Sequence, residues 1–98
     1  MSEGALGDGT IRRVLEIVNK KGLHARASAK FVQTVEKFDA QVTVTRGSES
    51  VGGTSIMGLM MLSAGTGSEI TVEATGKQAA EAMDAIVELV VSGFGEED

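Results

Sequence analysis

Residues 13–38, RVLEIVNKKGLHARASAKFVQTVEKF, change hydrophobic period halfway along. In 13–18 (RVLEIV), Leu15 and Ile17 share one face and Val14, Glu16 and Val18 the other, the alternation of a strand. Residues 19–23 (NKKGL) are a loop with a glycine turn signal. From about Ala25, Ser28, Phe31, Val32, Val35 and Phe38 recur at helical spacing as one stripe, predicting a helix that stops near Asp39. A strand turning into a helix through a short glycine loop is the first unit of the fold.

The rest extends this pattern. Residues 41–46 (QVTVTR) alternate as a strand, Gly47 and Ser48 form a turn, and residues 49–51 make a short hairpin partner. Gly52 and Gly53 end it. Ser55 precedes the apolar run IMGLMML, one or two turns of helix weakened by Gly58. After the loop at 63–67, residues 69–74 (EITVEA) alternate with Ile70, Val72 and Ala74 inward. Residues 77–91 form the longest helix, with Ala79, Ala82, Met83, Ile86, Leu89 and Val90 on one stripe and Gly93 as its stop. The order βαββαβα, with strands wet on one face, predicts an α+β open-faced sandwich: a four-stranded antiparallel sheet with three helices on one face. One domain, 11–92, is expected between disordered acidic or glycine-rich tails at 1–9 and 95–98.

Composition narrows the function. The chain has 98 residues, net charge −5, no cysteine, no Trp or Tyr and one histidine, His24. That excludes disulfide scaffolds, thiol nucleophiles and cysteine metal sites, and gives no metal-ligand cluster. An acidic chain without a basic run is a poor match for nucleic acid or an anionic membrane surface, and no apolar stretch reaches the ~20 residues of a membrane span. The first residues lack the basic and apolar regions of a secretory signal, so the expected location is the cytoplasm.

His24 stands where the loop meets the first helix. There the first N–H groups lack internal partners and the macrodipole is positive, so an anion finds a site. A phosphoryl group on the imidazole would rest against the N–H groups of Ala25, Arg26 and Ala27, with the Arg26 guanidinium added. The bland reading is a polar residue at a helix start beside a solvated arginine, and from these residues alone it is the favoured one.

The run GLHARASAKFV at 22–32 resembles the active-site segment of the bacterial histidine-containing phosphocarrier (HPr) family, and TSIMGLMML at 54–62 resembles that family's second signature. Ser55 lies 31 positions after His24, a separation that matches the family without a gap. The resemblance covers roughly residues 11–92. It implies a non-enzyme phosphocarrier of the phosphoenolpyruvate-dependent phosphotransferase system, in its sugar-uptake or nitrogen-related branch. On it, His24 accepts a phosphoryl group on Nδ1 from phosphorylated enzyme I and passes it to an enzyme IIA protein. It further implies no cofactor or metal, and Ser55 as the target of an HPr kinase/phosphorylase. Ser55 is independently the N-cap expected of the short helix. The resemblance favours Ile56, Met57, Met60 and Met61 as a partly exposed docking patch, with Lys30 and Gln33 as candidates for its rim, although a solvated helix face is the stronger reading of those two, whereas Leu59 and Leu62 fill the core. A monomer is expected. The family usually has proline after the arginine; Ala27 stands there instead, which bears on the rate of transfer rather than its chemistry. The alternatives are a regulatory binding module governed by the states of His24 and Ser55, and an unrelated α+β domain with a chance GLHAR.

Overall fold

The computed structural model describes Gly4, Ala5 and residues 9–96. In chain order these form β1 (Gly4–Ala5), β2 (Ile11–Glu16), α1 (Ala25–Val35), β3 (Gln41–Arg46), β4 (Glu49–Gly52), α2 (Ile56–Met61), β5 (Glu69–Thr75) and α3 (Ala79–Val91), then a single 3₁₀ turn, Gly93–Gly95. The strands make one antiparallel sheet in the order β1-β2-β5-β3-β4.

The expected four-stranded framework is present, and the register explains the alternation. Leu15 pairs with Ile70 and Val44 with Val72, so the buried members of β2, β5 and β3 share one face. Phe31, Val32 and Val35 of α1, Leu59 of α2 and Met83, Ile86 and Val90 of α3 cover that face and close one core. Val14, Glu16, Thr43 and Glu69 face solvent on the other.

The boundaries differ in informative ways. Two residues of the expected N-terminal tail, Gly4 and Ala5, pair with Arg12 and Ile11 as a fifth strand, supplying partners to backbone groups at the edge of β2. Residues 1–3 and 6–8 of that tail lie outside the described residues. Strand β2 begins two residues before the expected start, where arginines beside Ile11 hide the alternation. Helix α1 stops at Val35 rather than near Asp39. Lys37 and Phe38 donate to Thr34 O and Val35 O in tightened i→i−3 bonds. Beyond them Asp39 exchanges bonds with Gln78: its N–H reaches Gln78 Oε1 at 2.7 Å, and Gln78 N–H reaches Asp39 O at 2.8 Å. That exchange also holds the start of α3 at Ala79 instead of Lys77.

The acidic C-terminal tail is the larger correction. Gly93 does stop α3, at φ +69°. The chain then reverses through Phe94 (φ +60°) and Gly95 (φ +70°). The Phe94 side chain is buried, and Glu96 is hydrogen-bonded to Asn19 in the body of the protein. Residues 97–98 lie outside the described residues.

Candidate functional site at the start of helix α1

Two backbone bonds carry the loop before α1. Leu23 N–H donates to Ala64 O at 2.9 Å, and Gly22 N–H to Asn19 O at 3.3 Å. Gly22 takes φ +65°, and a Cβ there would lie 2.3 Å from Ala64 O, so glycine is required by both conformation and space. Ser28 is buried and its Oγ donates to Leu23 O at 3.2 Å, tying the helix back to the loop.

His24 is the N-cap of α1, in extended conformation. The first intrahelical bond runs from Ser28 N–H to His24 O at 2.9 Å, so the N–H groups of Ala25, Arg26 and Ala27 precede the helical ladder. The Arg26 N–H points to His24 Nδ1 at 3.3 Å. A backbone N–H can only donate, so Nδ1 presents its lone pair at the positive end of the helix. The imidazole is a quarter exposed. The Arg26 side chain is exposed and makes no ion pair among the described residues, whereas Ala27 is fully buried. Beside the ring is a shallow pocket of about 230 Å³ lined by Lys21, Leu23, His24, Ser63, Ala64 and Gly65.

The other imidazole nitrogen has a partner that no local sequence pattern marks. His24 Nε2 lies 2.5 Å from Glu96 Oε2. The buried Asn19 donates from Nδ2 to Glu96 Oε1 at 3.1 Å and to Gly22 O at 2.9 Å. The hydrogen bond from His24 above all, and then that from Asn19, hold the Glu96 carboxyl below its usual pKa against the opposing effect of burial, with smaller help from the charges of His24 and Lys30. The one sequence signal in this direction is Phe94: a large apolar side chain between two glycines is an anchor, and anchoring it also places Glu96 two positions on.

Ser55 is the N-cap of α2, and its Oγ accepts from Gly58 N–H at 2.9 Å. Leu59 and Leu62 are buried, while Ile56 and Met60 are about 40% exposed and Met57 and Met61 about 70%. The loop after α2 bonds the His24 loop through Ala64, so the C-terminal end of α2 abuts the His24 site. Ser55 stands at the opposite end, about 9 Å farther along the axis of a six-residue helix. Gln33 is exposed, but Lys30 is not a free rim residue: its Nζ donates to Phe94 O at 2.7 Å and pins the C-terminal turn. Among the described residues, no three His, Cys, Asp or Glu side chains cluster as metal ligands.

A family model described as the PTS HPr component phosphorylation site matches residues 11–92. The chain belongs to the HPr family. It is 50% identical over 86 residues to the phosphocarrier protein HPr of Neisseria meningitidis serogroup A, covering 88% of this chain and 97% of that one. It is 41% identical to the phosphocarrier protein NPr of Shewanella violacea, covering 88% and 94%. The crystal structure of HPr-C-His from Thermoanaerobacter tengcongensis superposes with a TM-score of 0.84 at 44% identity, covering 89% and 98%. As an HPr-family member the chain is a phosphocarrier of the phosphotransferase system: it bears a phosphoryl group between other proteins rather than turning over a substrate.

Proposed function

We propose that His24 Nδ1 accepts the phosphoryl group from a phosphohistidine of enzyme I and passes it to a histidine of an enzyme IIA protein. The observation that carries this reading is the placement of Nδ1 at the N-terminus of α1, unprotonated and with its lone pair toward the Arg26 N–H, which an incoming phosphoryl group would displace. In the accepting step that lone pair forms the new N–P bond, and the donor's N–P bond breaks with its electron pair returning to the donor imidazole. The transferred oxygens come to rest against the N–H groups of Ala25, Arg26 and Ala27, with Arg26 able to swing in. A helix terminus contributes about 0.3–1 kcal/mol, up to ~2 in a favourable geometry. That is enough to orient the group and too little to trap it. The reverse sequence at enzyme IIA releases it.

The exposed Ile56, Met57, Met60 and Met61 are the proposed docking surface, with Gln33 beside it. Methionine side chains repack easily, which suits a face that meets several partners in turn. Ser55 is the proposed regulatory site for an HPr kinase/phosphorylase. A phosphate there changes the charge of the docking face by about −1.5 to −2. The exposed patch also supports a second reading, in which the states of His24 and Ser55 choose a regulatory partner. We place the protein in the cytoplasm as a monomer, since a six-residue helix presents little area for a stable self-interface. No helix among the described residues is long and apolar enough to cross a membrane.

Incubation with phosphoenolpyruvate, Mg²⁺ and enzyme I tests the relay. One base-stable, acid-labile phosphoryl group per chain is expected, and none on His24→Ala. Absence of label on the native chain, under conditions that label another HPr, would refute the relay.

A further inference from the structure

We infer that Glu96 and Asn19 are positioning residues that fix the tautomer and ring orientation of His24, making the C-terminal segment part of the phosphoryl-transfer site. The inference deepens the proposed function and rests on Nδ1 being the acceptor atom.

The neutral imidazole carries one proton. The Arg26 N–H at Nδ1 requires a lone pair there, so the proton is on Nε2, where the Glu96 carboxylate faces it. The two contacts agree on one tautomer, the one with the nucleophilic nitrogen toward the helix N-terminus. Among the described residues Nε2 has no other partner, so without Glu96 the ring would lose one of its two orienting contacts. Asn19 performs the same service one step back. It is 2% exposed and donates to both Glu96 and the Gly22 carbonyl, so it ties the carboxylate to the loop that carries His24.

Placement of Glu96 is built into the chain. Gly93, Phe94 and Gly95 take three successive positive φ values, a costly run for a non-glycine residue at its centre. The run is held by burial of the Phe94 ring and by the Lys30 bond to Phe94 O. It turns the chain from the end of α3 back to the start of α1. When Nδ1 becomes phosphorylated, Nε2 keeps its proton and the Glu96 contact persists, so the carboxylate orients both the accepting and the donating forms.

The test uses the full chain with ¹⁵N-labelled histidine. In the native protein at mildly alkaline pH, the ring shifts should show Nε2 protonated and Nδ1 bare. Glu96→Ala should populate both tautomers and slow phosphoryl acceptance from enzyme I by about tenfold or more, the scale on which partners orienting a functional histidine act. Glu96→Gln keeps an acceptor oxygen, so it should largely restore both the tautomer and the rate. Asn19→Ala should shift the tautomer balance in the direction of Glu96→Ala. An unchanged tautomer and native rate in Glu96→Ala would overturn the inference. If the tautomer shifts in Glu96→Ala but the native chain takes no phosphoryl group, the positioning role stands and the relay falls.

Discussion

Gly22 decides where His24 stands. Its φ of +65° and the 2.3 Å approach of any Cβ to Ala64 O leave no room for a side chain. Gly22→Ala must therefore move the 19–23 loop or the 63–65 loop. We expect it to lower the urea midpoint and to slow phosphoryl acceptance together, because the displaced loop carries both Leu23 and the His24 cap. A normal rate at reduced stability would show that His24 is placed independently of this turn. A second prediction concerns Glu96. Its folded pKa is held below the ordinary glutamate value of 4.5, so its contribution to stability is complete above that value and is lost as pH falls through the folded pKa. The groups facing it are His24, Asn19 and Lys30. Carboxyl ¹³C shifts should show Glu96 titrating below 4.5, with the signals of Asn19 moving in the same step; titration at or above 4.5 would contradict the contact. At this scale the placement of His24 and Arg26 at a helix start was legible, because a helix start advertises itself in local sequence. Asn19 and Glu96 were not, because 77 positions separate them and no local pattern links them.

Helix α2 shows what a short element can and cannot do by itself. Six residues with an interior glycine are too few to hold a helix by propensity. The segment is helical because Ser55 caps it and Leu59 is sunk completely in the core. Removing the cap with Ser55→Ala should cost about 0.5–2 kcal/mol in chemical denaturation. The exposed face behaves differently. Met61→Asp should leave stability within about ±0.5 kcal/mol, since the side chain is 70% exposed, while weakening transfer from enzyme I. Unchanged transfer kinetics would move the docking surface elsewhere. That part of this run stays exposed is readable from its excess of apolar residues over what so short a helix can bury; which residues those are, Ile56 and the three methionines, came from the family resemblance. The end of α1 was not. The stripe through Phe38 continues the helical period, but the bonds between Asp39 and Gln78 of a distant segment stop the helix at Val35, an override by tertiary contacts that local period does not record.

For the whole molecule, alternation in three strands and two apolar stripes was enough to specify one buried sheet face and the helices that cover it. The pairing of β1 with β2 was not, since Gly4 and Ala5 carry no strand signal. The core is built without Trp or Tyr, so single large residues matter. Leu59→Ala should cost about 2–5 kcal/mol, a large share of the 5–15 kcal/mol typical of a domain. It should also detach α2 from the core, so urea unfolding should show a lowered midpoint and a loss of transfer even where the sheet persists. The chemistry proposed for the molecule turns on one atom, His24 Nδ1. ³¹P–¹⁵N correlation on the phosphorylated, histidine-labelled chain reads that atom directly. Phosphorus coupled to Nδ1 of His24, with Nε2 still protonated, is the predicted result; coupling to Nε2, or phosphate on another residue, would contradict it.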